Sequence, residues 1–185
     1  MLKALAGGID AVNDAIGRTI AWVSLAMVLV QFAVVVMRYV FGLGSLYMQH
    51  SVVFMHAIIF LVAAGYALKD DEHVRIDIFY GRFSPQQRAM MDLAGVLIFL
   101  LPFCYLVWIT AWPYVLASWR TYEGSLEVKG LPGVFLLKTF ILVYVVLLAL
   151  QGVSMAARAV LTMTGTAPPR ALPDQATGEK SSGVT

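Results

Sequence analysis

The polar positions of this chain fall into short clusters, and between them run four long apolar stretches. Thr19–Met37 contains no Asp, Glu, Lys or Arg, and the same holds for Tyr39–Leu68 and Leu93–Trp119. The fourth, Leu131–Ala157, is interrupted only by Lys138. A helix that crosses a bilayer needs about 20 mostly apolar residues, so each run is long enough. Within the second run, Phe41-Gly42-Leu43-Gly44-Ser45 reads as a turn, which moves the start of its helix to near Leu46. None of the runs alternates in the manner of a membrane β-barrel strand. The pattern therefore predicts an all-α membrane protein of four transmembrane helices, at about 17–40, 46–69, 85–119 and 131–158.

The flanking segments refine this picture. Leu2, Leu5, Ile9, Val12 and Ile16 recur at helical spacing while Lys3, Asp10, Asp14 and Arg18 fall elsewhere. This predicts an amphipathic lead-in lying in the interface, or else an early start of the first span. Asp10 and Asp14 and the long apolar core argue against a cleavable signal. Ser84-Pro85-Gln86-Gln87 has a capping serine, proline at the first helical position and glutamine at the third, a capping box for the third helix. From Pro85 to Trp119 that helix would extend about 52 Å at 1.5 Å per residue. It must tilt, project or break, and Pro102 and Pro113 are places to kink. Trp108, Trp112, Tyr114 and Trp119 gather at its far end as an aromatic belt. Gly152 with Ala156 and Ala149, and Ala57, Ala63, Ala64 and Gly65, are small residues at spacings that let helices approach closely. Residues 164–185 are rich in Pro, Gly, Ser and Thr and are expected to be a disordered tail.

Composition narrows the function classes. The chain has 185 residues, 60% hydrophobic and 13% charged, against ~45–50% and ~25% in soluble domains. Mean hydropathy is +0.80. The net charge of +2 gives no basic field for nucleic acid. The single cysteine, Cys104, supports neither an internal disulfide nor a zinc site. With four spans, the termini and the middle loop share a side, and that side holds Lys3, Arg18, Lys69, Arg75, Arg82, Arg88, Arg158, Arg170 and Lys180. Only Arg38, Arg120, Lys129 and Lys138 fall on the other. The positive-inside rule then places both termini in the cytoplasm.

Few residues offer chemistry. An ionisable group at a helix centre costs roughly 2.5–3.5 kcal/mol and so hints at function. Here Asp92 lies near one interface and Lys138 near the other, where they read as anchors. His50 and His56 sit on one helix about 120° apart, which does not suit two axial ligands of one haem. His56, Gln31 and Gln151 read as hydrogen-bonding residues at helix contacts. No catalytic constellation is visible, and the chain is expected not to be an enzyme. The most particular stretch is Lys69-Asp70-Asp71-Glu72-His73-Val74-Arg75-Ile76-Asp77, a mixed-charge cluster that passes into alternating apolar and charged positions. A metal site among its acids would lack defined geometry.

These residues resemble a known family, the small membrane subunit of tripartite ATP-independent periplasmic (TRAP) transporters, DctQ-like. Arg38-Tyr39-Val40-Phe41-Gly42 is similar to that family's Arg-Tyr-x-Phe element, and His73-Val74-Arg75-Ile76-Asp77 to its signature after the second span. Glu123-Gly124-Ser125, Gly130-Leu131-Pro132, Lys138 and Leu147 to Gly152, Gln151 included, resemble later landmarks. The resemblance runs from about Asp14 to Arg158. One departure stands out: the family commonly has a glutamate where this chain reads Met48-Gln49-His50-Ser51. Arg38 must then pair elsewhere, with Glu123 or Glu127 as candidates.

The resemblance implies a bacterial inner-membrane accessory subunit of a sodium-coupled symporter for an organic anion. A large permease subunit would carry the substrate and sodium sites, and a periplasmic binding protein would deliver the substrate. This chain would scaffold the permease, among membrane lipids, with no substrate site, metal or cofactor of its own. Arg38, His73, Arg75, Asp77, Glu123, Lys138 and Gln151 would serve assembly or structure. Two other classes compete. A cytochrome b-type membrane anchor of an electron-transfer complex would require haem. A free-standing exporter would require an acid deep in a span, and only Asp92 is offered.

Overall fold

The computed structural model describes residues 2–69, 83–125 and 131–165. Among these, all regular structure is helical. Helix α1 spans Leu2–Tyr39, α2 Leu46–Lys69, α3 Pro85–Gly95, α4 Leu101–Arg120 and α5 Val134–Met163, with a π-helical turn at Val96–Leu100 joining α3 to α4. With α3, the π turn and α4 taken as one rod, four helices are long and apolar enough to cross a membrane. This is the architecture that the four apolar runs predict. The middle loop from 70 to 82 and the tail from 166 onward lie outside the described residues.

The helix ends follow from local chemistry. After α1, Gly42 adopts φ +67°, a left-handed conformation that costs glycine little. The Leu43 N–H closes that turn on the Met37 carbonyl at 2.9 Å. Ser45 then accepts the Met48 N–H through its hydroxyl at 3.4 Å and starts α2. The capping box of α3 forms as its spacing predicts. Ser84 Oγ accepts the Gln87 N–H, and Gln87 Oε1 accepts the Ser84 N–H.

The long third span changes register in its first half. Pro102 has no N–H to donate back along the helix, and its ring crowds the carbonyl four residues earlier. Immediately before it the backbone widens, and Leu101 N–H bonds the Val96 carbonyl five residues back. Pro113 lies inside α4 without ending it.

Helix α5 is the centre of the bundle and packs against every other element. On one side its Leu147 meets Ile20 of α1 and Val62 of α2, with Ile16, Ile58, Ile59 and Phe140 around them. On the other, Val145 and Leu148 meet Cys104 of α4, with Leu100, Val107 and Trp108 closing the layer. Gly17, Gly65 and Gly152 are close approaches, Gly17 against the Tyr66 ring. A Cβ on Gly65 would lie 2.8 Å from Asn13 Oδ1 and 3.3 Å from the Leu147 carbonyl. A Cβ on Gly152 would lie 2.5 Å from Leu100 Cδ2.

The first four turns of α1 are continuous with the span, and of the described residues of the apolar stripe only Ile16, at its end, packs against the core. Ala6, Asp10 and Asn13 are buried instead, while Leu2 and Val12 are exposed. The polar side chains go inside because α5 supplies polar partners for them there.

Candidate functional site

The described polar groups concentrate at the two ends of the bundle. At the end that carries the start of α1 and the finish of α5, a buried cluster links the two helices. Asn13 donates its amide to Gln151 Oε1 at 2.6 Å. Gln151 donates to Asp10 Oδ1 at 3.2 Å, and the Ser154 hydroxyl donates to the same oxygen at 2.9 Å. Arg158 forms an ion pair with Asp10 Oδ2. Asp10, Asn13, Gln151 and Ser154 are all buried, whereas the Arg158 side chain is 54% exposed and keeps its charge partly in solvent. Nearby, Asp14 of α1 pairs with Lys69 at the end of α2, in a more open position. A buried carboxylate is costly unless paired and fully hydrogen-bonded, and this one has both kinds of partner.

Gln151 thus sits in a helix contact, and its partners are residues that sequence reasoning placed elsewhere. Asp10 and Asn13 lie on one stripe with Ala6, Gly17 and Ile20; Gln151, Ser154 and Arg158 lie on another with Leu147. Both stripes have three- and four-residue spacing. That signal was legible only as two polar stripes of matching length, because periodicity within α1 alone favours the apolar side.

At the opposite end, a second cluster forms around the turn between α4 and α5. Glu123 forms an ion pair with Lys138, whose ammonium also lies 3.9 Å from the centroid of the Tyr114 ring. The turn is built on a C-terminal cap of α4: the Glu123 N–H bonds the Ser118 carbonyl at 3.0 Å and the Tyr122 N–H bonds that of Trp119 at 3.3 Å. Tyr122 takes the left-handed position with φ 45°, where glycine is the usual residue. Its ring packs edge-on to Phe135, which also meets Trp119 edge-on at 4.8 Å. The Trp119 indole donates to Thr139 Oγ1 at 2.9 Å. Leu131 N–H donates to His50 Nδ1 at 3.3 Å and ties α2 to this end.

The Lys138 ammonium, and after it the Ser118 hydroxyl, hold the Glu123 carboxyl below its ordinary value. A carboxylate whose folded value is depressed adds stability that is present above its unfolded value, and that stability is lost as pH falls through the folded one. Thermal unfolding of the purified chain should therefore lose stability as pH drops from 6 through the glutamate range. Glu123→Gln should start lower and flatten the profile; an unchanged slope would refute the assignment.

Two sequence expectations need correction here. Arg38 is exposed at the end of α1 and forms no ion pair with a described residue; the carboxylate of Glu123 goes to Lys138, which lies on the adjoining helix. Glu127 lies outside the described residues. His56 and Gln31, expected at helix contacts, are exposed, and neither makes a hydrogen bond to a described residue. The reason is that α2 turns Val62 and Gly65 toward α1 and α5, which leaves His56 on its outer side. His73, Arg75 and Asp77 lie outside the described residues. Among the described residues no three His, Cys, Asp or Glu side chains converge as a metal-binding set.

Ion pairs close the two ends of the bundle, and the core packed between them is apolar. The family model "Tripartite ATP-independent periplasmic transporters, DctQ component" matches residues 27–162. No curated protein and no solved structure matches the chain.

Proposed function

Because this chain belongs to the DctQ-component family of tripartite ATP-independent periplasmic transporters, a family of transporter components and not of enzymes, we propose that it acts as the scaffold of a large permease subunit. The observation that carries this reading is the reach of the family match from the last third of α1 to the end of α5, which takes in part or all of each span-capable helix. The distribution of charge supports it. Among the described residues, Asp10, Asp14, Asp92 and Glu123 are the only acids; Asp10 and Asp14 lie in the first half of α1, Asp92 near the end of α3 and Glu123 just after α4. Coupled transport of a cation calls for acidic groups at membrane depth, and in this reading those belong to the partner.

In this reading the complex sits in the bacterial inner membrane with both termini of this chain in the cytoplasm. The large subunit carries sodium and an organic anion, and a periplasmic protein delivers the anion. His73, Arg75 and Asp77 stabilise assembly at the cytoplasmic face, and this subunit binds no substrate or cofactor itself. The cytochrome b-type reading is not favoured by the family match.

Reconstitution tests the proposal. Liposomes with both membrane subunits, the binding protein and a sodium gradient should take up an organic acid. Liposomes with this chain alone should not, and calorimetry of the isolated chain should show no saturable binding. Saturable binding to the isolated chain, or transport by it alone, would overturn the reading. In the same vesicles, a cysteine replacing Glu123 should label from the periplasmic side and one replacing Gln86 from the cytoplasmic side.

A further inference from the structure

Only four residues of α2 are exposed: Tyr47, Val53, His56 and Phe60. The last three form one stripe at three- and four-residue spacing. Val53 is 58% exposed and Phe60 75%, so the imidazole stands between two outward apolar side chains. Its ring lies against Phe60, at 5.9 Å between centroids, and makes no hydrogen bond to a described residue.

His56 is also far from either end of its helix. At 1.5 Å per residue it lies about 15 Å from Leu46 and about 20 Å from Lys69. An imidazole is too short to snorkel to an interface over such a distance. Acyl chains offer it neither donor nor acceptor, and an unsatisfied polar group in hydrocarbon costs several kcal/mol. Histidines inside spans almost always face protein or water.

A second polar residue lies at the same depth. Asp14 stands opposite Lys69 and Gly17 against Tyr66, which sets the antiparallel register of α1 and α2. That register carries Gln31 to the level of Val52, one turn from His56. Gln31 is exposed and likewise makes no hydrogen bond to a described residue. Two exposed side chains with no hydrogen bond to a described residue, at nearly one depth on neighbouring helices, call for cover by protein. The exposed side of the π turn, with Leu97, Ile98 and Phe99, is wholly apolar and suits lipid.

We infer that the Val53–His56–Phe60 stripe of α2, with Gln31 of α1 at nearly the same depth, is the docking surface for a transmembrane helix of the large permease subunit, one that presents a hydrogen-bonding side chain or an open backbone carbonyl to the imidazole. This rests on the scaffold reading proposed above and assigns it a face. The apolar neighbours supply close packing, and His56 sets the depth at which the partner helix registers.

The test uses the co-expressed two-subunit complex. p-Benzoylphenylalanine in place of Phe60 should give, on irradiation, an adduct with the mass of both subunits, and the same probe in place of Phe99 should give none. His56→Leu should lower retention of the large subunit through a detergent wash about three- to tenfold, the scale of one interhelical hydrogen bond in lipid. His56→Gln should restore it, because the amide can donate and accept as imidazole does. If the unaltered chain retains the large subunit but the probe at 60 reaches only lipid or a second copy of this chain, the face is wrong and the scaffold reading stands. Retention by His56→Leu equal to that of the unaltered chain would also overturn the face. If the unaltered chain retains no large subunit, both inferences fall.

Discussion

Asp10→Ala is expected to destabilise the folded chain by about 3 kcal/mol, the largest effect of any single side chain described above. Asp10 is the acceptor for Gln151 and Ser154 and the counter-ion of Arg158. Removing one partner of a buried ion pair costs about 3–5 kcal/mol when the other charge is stranded. Arg158 is half-exposed and can hydrate, which pulls the ionic part toward the low end. The amide of Gln151 and the hydroxyl of Ser154 are buried and cannot hydrate, so each loses an acceptor at about 1 kcal/mol or more. Asp10→Asn keeps one acceptor oxygen and loses the charge, so it should cost about 1 kcal/mol. Asp14→Ala serves as a control, because its pair with Lys69 is more open and should be worth about 0–1 kcal/mol. Denaturant titration of the purified chain, followed by helical signal, measures the series. An Asp10→Ala variant no less stable than Asp14→Ala would mean that the cluster does not hold α1 to α5.

Gly65→Ala is expected to cost about 2 kcal/mol, while Gly152→Ala is expected to be nearly neutral. Both replace a helical glycine by the best helix former, which alone favours the variant by about 0.5–1 kcal/mol. The difference lies in what the new methyl meets. At Gly65 it would press on Asn13 Oδ1 at 2.8 Å, on Leu147 Cβ at 3.2 Å and on the Leu147 backbone carbonyl at 3.3 Å. Backbone cannot rotate away, and a displaced Asn13 would lose its bond to Gln151. Forcing one methyl into such packing costs about 1–3 kcal/mol, and the lost hydrogen bond adds about 1 kcal/mol. At Gly152 the close atom is the tip of Leu100, which can change rotamer, and the next contact is at 3.5 Å. Equal stability of the two variants in the same titration would show that α1, α2 and α5 do not meet as closely at Gly65 as the structure places them.

Both predictions concern the junction of α1, α2 and α5, and that junction separates what the chain shows in one dimension from what it shows in three. Four spans, the turn at Gly42 and the capping box at Ser84 follow from composition and local spacing, because each depends on residues close together in sequence. Gln151 could be picked out as a polar residue in an apolar run and assigned to a helix contact for that reason alone. Its partners could not be named, since Asn13 and Asp10 are more than a hundred residues away.

The lead-in of α1 shows the limit most plainly. Periodicity distinguishes its two faces correctly but does not say which goes inside. In water the apolar face would be buried. Beside a membrane the apolar face has lipid to contact, and the polar face is free to seek another helix. Only the arrival of Ser154 and Arg158 on α5 decides between them. Likewise Glu123 had several basic residues in reach of its end of the bundle, and the cap of α4 turned it to Lys138 and not to Arg38. His56 was expected inside because polar residues in spans usually are. The tertiary structure put it outside, since α2 uses Gly65 and Val62 to approach α5 and has only one face that close.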